Sequence, residues 1–249
     1  MLQKMKTYKA DLHIHTVLSP CGDLEMSPEN IVKQAVKKEL QIIGITDHNS
    51  TRHCRLISEI AKKNGIFVLC GAEVTTKEEV HCLCFMPDFE KLAIFQDYLD
   101  QHLPDIKNDV TQFGYQVQVD EDEQIIYEEE KLLISALDQS IGQIEEKVHQ
   151  LGGLFIPAHI NRPAFGLINQ LGFVPDDLNY DALEISKHIT KSWFIGKNSY
   201  LKSKIFIQSS DAHFIENLGE VSTIFRLEKP DFDEIKMALH NTGGRSVDF

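Results

Sequence analysis

Ala10-Asp11-Leu12-His13-Ile14-His15-Thr16 is the stretch on which the fold turns. Residues 8–15 alternate in polarity, which predicts a strand, and that strand ends in histidines. Residues two apart on a strand point to one face, with Cα atoms about 7 Å apart, so His13 and His15 can reach a common ion. Downstream, Ser27-Pro28-Glu29-Asn30 predicts a helix start, with Ser27 as N-cap and Pro28 at the first helical position. Ile31, Val32, Ala35 and Val36 then recur at helical spacing.

The strand–helix order repeats along the chain. Residues 41–46 predict a second strand, whose Ile42, Ile43 and Ile45 suit burial on both faces, as in a parallel sheet. A helix is expected over 51–63, strands over 65–71 and 80–85, and a helix over 89–103. Residues 104–130 break the rhythm. Segments 115–119 and 124–127 alternate around Asp120-Glu121-Asp122-Glu123, which predicts a hairpin-bearing insertion outside the core. Its acidic runs, Glu128-Glu129-Glu130 included, read as solvated faces. The rhythm resumes with a helix over 140–151, a strand over 154–158, a helix over 164–171 and a strand over 182–186. The last strand is expected over 204–209 and the last helix over 231–240. One domain over 1–249, with an insertion at about 104–130, is the economical reading.

Composition narrows the classes. With 42% hydrophobic residues the 249-residue chain can bury a sizeable core. Lys and Arg number 25 against 38 Asp and Glu, a formal charge of 25 − 38 = −13, which argues against the broad basic surface of a duplex-binding protein. The ordinary meaning of such a charge is solubility, although bound metal ions reverse the sign of the potential inside a cleft. Apolar runs such as 41–46 and 65–71 are far too short to cross a bilayer. Residues 1–7 hold two lysines and no following apolar stretch, so no signal peptide is expected. Five cysteines without framework spacing (Cys21, Cys54, Cys70, Cys82 and Cys84) suit reduced thiols and a cytoplasmic location. Cys82-Leu83-Cys84 reads as ordinary strand residues rather than a metal pair.

Titratable residues collect where the expected strands end. The groups are Asp11-Leu12-His13-Ile14-His15, Thr46-Asp47-His48, Gly71-Ala72-Glu73, His81, Pro157-Ala158-His159 and Ser209-Ser210-Asp211-Ala212-His213. All except His81, which sits near the start of its strand, fall at the C-terminal end, where parallel barrels build their sites. Each piece alone is weak: a lone His-x-His is more often structural, Glu73 after a glycine could cap a helix, and a single His81 is more often a hydrogen-bonded core residue. Together they hold six of the eleven histidines. Gathering so many polar side chains at one mouth is costly without metal ions. Imidazole with carboxylate is a donor set for zinc, manganese or iron, and a poor one for calcium. Asp23, in the loop after the first strand, is a further candidate, against a plain reading as a turn residue beside Gly22.

These motifs, taken in order from Ala10 to Phe214, resemble the polymerase and histidinol phosphatase (PHP) family. The resemblance implies an α/β fold, a distorted seven-stranded (β/α)7 barrel of the PHP type with an inserted segment between the fourth and fifth core strands. It implies three divalent metal ions, zinc, manganese or iron. His13, His15, Glu73 and Asp211 would hold one; Glu73 would bridge to a second, completed by His81 and His159; Asp23, His48 and His213 would hold a third. No ligand position is lost, so an active centre is expected.

The expected activity is metal-dependent hydrolysis of a phosphate ester, in a small phosphorylated metabolite or nucleotide, by a metal-activated water. Asp47, beside a ligand, is expected to orient it; otherwise it is a strand-end turn residue. Arg162, three residues after His159, could grip a phosphate, or simply cap a loop. Lys187 and His188 follow a strand on the same side, and His188 is the candidate general acid. His53, His102, His149 and His240 fall in helical patterns and read as structural. One alternative is a nuclease trimming single-stranded oligonucleotides, for which basic residues near Phe165 and Trp193 look sparse. Another is a non-catalytic metal-dependent binding or regulatory module, which loss of a ligand would favour. Neither a membrane nor double-stranded nucleic acid is an expected partner.

Overall fold

β1 (Lys6–Ile14) starts exposed and ends fully buried, carrying its histidines inward. The computed structural model describes residues 5–249, so the first four of residues 1–7, read above for a leader, lie outside the described residues. α1 (Pro28–Lys37) begins as its sequence predicts, with the Ser27 side chain accepting from the Asn30 amide. β2 (Ile42–Ile45), α2 (Cys54–Lys63) and β3 (Phe67–Thr75) follow, and β1, β2 and β3 lie side by side in parallel. β1 and β2 approach closely because Gly44 lacks a side chain: a Cβ there would meet the Leu12 carbonyl oxygen at 2.3 Å. Between Asp11 and Ile14 their register slips, a local irregularity at the stretch that carries His13.

β4 (His81–Phe85) turns back antiparallel to β3, with His81 opposite Thr75. This explains the one group that broke the sequence pattern: the start of an antiparallel strand lies beside the end of its neighbour. Between β4 and β7 (Leu154–Pro157) run α3 (Phe89–His102), α4 (Val110–Phe113), the separate antiparallel pair β5 (Val117–Val119) and β6 (Ile125–Glu128), and α5 (Ile141–Gln150). α6 (Leu167–Leu171) leads to β8 (Leu183–Glu184), and α7 (Lys191–Lys197) to β9 (Phe206–Ile207). β8 and β9 form a small parallel pair.

Two strands follow residue 209, where none was expected: β10 (Thr223–Leu227) and, after α8 (Phe232–Leu239), β11 (Ser246–Asp248). β10 alternates buried Thr223, Phe225 and Leu227 with outward residues, but over only five positions and outside any strand–helix rhythm. The main sheet is seven-stranded, ordered β11-β10-β1-β2-β3-β4-β7. Its β1–β10, β10–β11, β3–β4 and β4–β7 pairs are antiparallel, a departure from regular (β/α)7 alternation. β10 covers only Lys6–Ala10 of β1. The later half of β1 bonds instead to the chain beyond β9, through Ala212 N–H to His13 O (3.2 Å) and His15 N–H to Ala212 O (3.0 Å). At the other edge, Ile160 N–H reaches Glu184 O at 2.9 Å and ties β8 to β7. The curled sheet and the small pair thus meet around one mouth. Among the described residues no helix is long and apolar enough to cross a membrane.

Candidate metal centre

Strand ends deliver the polar residues to that mouth. His13 and His15 come from the end of β1, His48 follows β2, Glu73 lies in β3, His81 opens β4, His159 follows β7, and Asp211 and His213 follow β9. Five of the six histidines and Glu73 are buried, while Asp211 and His213 are half-buried. His159 and Asp211 have φ of 28° and 51°, and Asn49, next to His48, has 46°. Non-glycine residues in this left-handed region are strained by about 1–3 kcal/mol each, which the surrounding packing must offset.

The innermost atoms converge on a point. His13 Nε2 stands 3.2 Å from His15 Nε2 and 3.2 Å from Glu73 Oε1. His15 Nε2 is 3.4 Å from Glu73 Oε2, and both ring nitrogens are 3.5 Å from Asp211 Oδ1. Ligand atoms held tetrahedrally about 2.1 Å from one ion stand about 3.4 Å apart. The observed spacings fit that figure.

Hydrogen bonds behind the rings fix what the facing nitrogens carry. His13 Nδ1 is 3.0 Å from Glu184 Oε2, an acceptor, so the ring proton belongs on Nδ1. His15 Nδ1 is 3.0 Å from Ser19 Oγ, whose own hydrogen goes to Asp47 Oδ1 at 2.7 Å. A neutral His15 therefore also protonates Nδ1. Both Nε2 atoms are then lone pairs facing each other and two carboxylates, an arrangement that demands a cation. Neither Glu184 nor Ser19 was among the site residues expected from sequence. The available signals were a Glu inside the apolar strand 182–186 and a Ser four residues after His15.

Two further sets of donors lie alongside. His48, Glu73 and His81 form one, and His15, His48 and His213 another, each with ligand atoms within 4.8 Å of one another. His159 Nε2 and His81 Nδ1 both stand 3.0 Å from Glu73 Oε1, so this carboxylate faces donors on every side. His48 Nδ1 is 3.2 Å from Glu73 Oε2 yet makes no hydrogen bond, and His81 Nε2 and His159 Nδ1 are buried without partners. Of these orphaned nitrogens His48 Nδ1 faces the carboxylate, while His81 and His159 turn their other nitrogen to it. Imidazoles gathered on one buried carboxylate with so few other partners suit metal ligands better than a sealed core. Asp23 is placed differently: its backbone N–H bonds to His213 O at 2.9 Å, while its carboxylate accepts from the Glu25 amide within its own loop. No such set among the described residues includes Asp23.

The electrostatics express the same demand. Burial works to lower the pKa of His13, but Glu73, Glu184 and Asp211 together carry it well above its ordinary value. His15 is raised against burial by Asp211 and Glu73. Burial opposes ionisation of Glu73, yet His81 and His13 hold it well below the usual range. His213 is pushed down to about 3 by burial and by His15. The His213 ring therefore stays neutral, the form that binds a metal, while the raised His13 and His15 show how strongly the carboxylates call for positive charge at this point.

Asp47 is buried behind this layer. Its carboxylate accepts from the Thr16 amide at 2.7 Å, from the Thr16 hydroxyl at 2.8 Å and from Ser19, and bonds to none of the converging side chains, although its backbone carbonyl accepts from the Glu73 amide at 3.1 Å. Asp11 likewise clamps the Ser210 and Gly219 amides. In front of the layer opens a cavity of about 400 Å³, lined by His159, Arg162, Lys187, His188, Asp211 and His213. Arg162 Nη1 donates to Asp211 Oδ2. Lys187 is tied to Glu220 at 2.9 Å, and His188 is exposed.

Comparison with known proteins agrees with this architecture. Bacillus subtilis YqxK is 25% identical across 98% of this chain, which spans 64% of YqxK. The lesion-specific endonuclease PfuEndoQ from Pyrococcus furiosus superposes with a TM-score of 0.74 at 21% identity, over 97% of this chain and 58% of its own. Endonuclease Q bound to a 27-mer duplex with an abasic lesion gives 0.72 at 20% identity, over the same shares. A Bifidobacterium adolescentis structure, named as a metal-dependent phosphoesterase, gives 0.60 at 21% identity over 96% of this chain and 97% of its own. At such identities the solved structures speak to the fold. The PHP domain family model matches residues 11–201. Because that span carries His13, His15, His48, Glu73, His81 and His159 on the strand ends described above, the chain belongs to the PHP domain family.

Proposed function

We propose that this chain hydrolyses phosphate esters at a cluster of three divalent ions, zinc, manganese or iron. The convergence of two locked imidazoles with Glu73 and Asp211 carries this reading. His13, His15, Glu73 and Asp211 would hold one ion. Glu73, His81 and His159 would hold a second. His48 and His213 would hold a third beside His15, with Asp23 joining only if its loop turns. β1, β2, β3, β4, β7, β8 and β9 would be the seven strands of the distorted barrel, residues 1–249 one domain, and residues 104–130 its insertion. Free cysteines suit a cytoplasmic setting.

When bound, the ions would supply hydroxide near neutral pH and neutralise the phosphate oxygens. Arg162 sits on Asp211 at the mouth and can swing its fork onto a phosphate. Lys187, which lines the same cavity, can support the same anion, and the exposed His188 can protonate the leaving oxygen. Asp47 orients His15 through Ser19.

A cavity of about 400 Å³ accommodates a small phosphorylated metabolite or a nucleotide. The nuclease reading gains a specific observation. Residues 187–204 hold five lysines and no acidic residue, in a chain of net charge −13. Trp193 and Tyr200 in the same segment are exposed. Lys187 and His188 line both the cavity and an adjoining groove that continues to Lys191 and Phe249. Of these lysines Lys187 lines the mouth, and Lys191 and Lys202 extend the positive charge along the adjoining groove.

The test is metal content together with phosphate release from phosphomonoesters, nucleotides, short oligonucleotides and, given the duplex bound to Endonuclease Q, abasic duplex DNA. Two or three ions per chain, with release lost in His13→Ala, support the reading. Ions without turnover on any substrate favour a non-catalytic binding or regulatory module. No ion after loading with manganese or zinc overturns it.

A further inference from the structure

Behind His15 a buried polar chain runs out of the metal centre and into the β5–β6 hairpin. His15 Nδ1–H donates to Ser19 Oγ at 3.0 Å, and Ser19 donates to Asp47 Oδ1 at 2.7 Å. On the far side of the carboxylate, the Thr16 hydroxyl donates to Asp47 Oδ2 at 2.8 Å. Thr16 Oγ1 also lies 2.6 Å from His53 Nδ1. His53 is fully buried at the entrance to α2, and its Nε2 receives the backbone N–H of Val119 in β5 at 3.0 Å. The mechanism outlined above gives His53 no role.

The direction of this chain is determined by its outer end. Val119 N–H can only donate, so His53 Nε2 must be the accepting nitrogen. Burial holds His53 below its ordinary pKa, so the ring is neutral and its proton sits on Nδ1. Nδ1–H donates to Thr16, which leaves the single Thr16 hydrogen for Asp47. Without the Val119 amide, the other tautomer becomes available. His53 Nδ1 would then accept from Thr16, and Asp47 Oδ2 would lose a donor. Asp47 holds Ser19, Ser19 holds His15, and the Ser19 oxygen also receives the His48 amide at 3.1 Å. Both rings belong to the converging set.

The hairpin holds the intervening loop as well. Val117 N–H bonds to Val17 O at 3.3 Å, and just ahead of the hairpin Phe113 O, at the end of α4, accepts from Cys21 N–H at 2.9 Å. The hairpin is itself clamped by buried Gln116, whose side chain donates to Glu129 O and Lys131 O and accepts from the Leu133 amide.

We propose that the inserted hairpin regulates the metal centre: Val119, docked on His53, sets the direction of the His53–Thr16–Asp47–Ser19 relay and so holds His15 Nε2 ready for metal. His53 is accordingly a positioning residue. The proposal rests on the metal-centre reading above, but its test does not use turnover.

The test follows histidine-ring 15N shifts and the Val119 amide in the labelled full chain, free of metal, alongside zinc affinity measured by chelator competition. The wild-type His53 and His15 rings are expected protonated on Nδ1. Changes behind a ligating histidine weaken metal binding about 10–100-fold. His53→Phe and Thr16→Val should therefore lose about tenfold in zinc affinity. His53→Gln should recover most of it, because its amide can accept from Val119 and donate to Thr16. Gln116→Ala touches neither relay nor ligands. It should speed Val119 exchange and weaken zinc, while zinc loading should slow Val119 exchange, as reciprocal coupling requires. Nε2 protonation of His53 overturns the proposal. So does unchanged zinc affinity in Gln116→Ala once Val119 exchanges faster, which decides the matter even if His53→Phe fails to fold. Should wild type bind no zinc, the metal reading fails, and the ring tautomers still decide the relay. Zinc binding without phosphate release counts against the phosphoesterase reading alone.

Discussion

His13 Nε2 and His15 Nε2 face each other across 3.2 Å, each with its proton committed to the far side of the ring. Two lone pairs at that distance, with two carboxylates beside them, are stable only around positive charge. Zinc or manganese should therefore raise thermal stability. A ligand at a hundred times its Kd adds about 2.7 kcal/mol. For a chain of this length that is about 5–10 °C in Tm. Melting curves with and without a chelator check it, and the shift should shrink in His13→Ala, which removes a ligand of one ion. An equal shift in that variant would place the ion elsewhere.

Glu184 is the partner that most affects His13. It accepts from His13 Nδ1 at 3.0 Å and from the His159 amide at 2.9 Å. Glu184→Ala should weaken zinc about 10–100-fold through the freed His13 ring. It should also cost about 1–3 kcal/mol of stability, because buried donors lose their acceptor. Glu184→Gln, which keeps an oxygen in place, should fall between the two. Chelator competition and denaturant melts read the two effects separately.

These two residues mark what sequence can and cannot show. His13 and His15 were legible because a strand's period of two places both on one face wherever it packs. Strand ends followed by helices were legible for the same local reason, and the helix start at Ser27 is realised as expected. Glu184 was not legible, because its role depends on a contact 171 residues away. His53 has a helical neighbourhood and reads as filler until the hairpin packs on it. Cues for β10 were present in its alternation, but it lies outside the strand–helix rhythm, pairing back onto β1. The antiparallel turn of β4 is a tertiary choice that no spacing reveals.

Away from the mouth, Asp181 binds His149 Nε2 at 3.2 Å, His240 Nε2 at 2.7 Å and the Phe155 amide. Burial works against ionised Asp181, yet His149 and His240 lower its pKa. Asp181 in turn raises that of His149. A depressed carboxylate adds stability above its unfolded pKa of about 3.9 and loses it as pH falls through the folded value. A raised histidine adds stability below about 6.5 and loses it as pH rises through its folded value. Asp181→Asn should therefore destabilise most between about pH 4 and 6.5. The difference from wild type should shrink on either side. Denaturant titrations from acid to mildly alkaline pH test this, and a difference growing above neutrality would contradict the assignment.

The basic segment after β8 separates the two substrate readings. Lys191 and Lys202 lie along the groove beyond the cavity, with Lys191 Nζ 5.0 Å from the centre of the Phe249 ring. Neither lines the mouth where a mononucleotide phosphate would sit. Replacing both with glutamine should leave hydrolysis of a mononucleotide within about twofold, since rim charges far from a bound group contribute little. For a single-stranded oligonucleotide each lost phosphate contact lowers the salt dependence of binding by about 0.7 in the logarithmic slope. Two lost contacts should flatten it by about 1.4 and weaken binding at low salt. Trp193→Ala should weaken the same complex by about 1–3 kcal/mol if a base stacks there. Binding across a salt series, measured beside mononucleotide turnover, reads both at once. An unchanged slope in the double variant would confine the substrate to the cavity and leave the small phosphate ester as the reading.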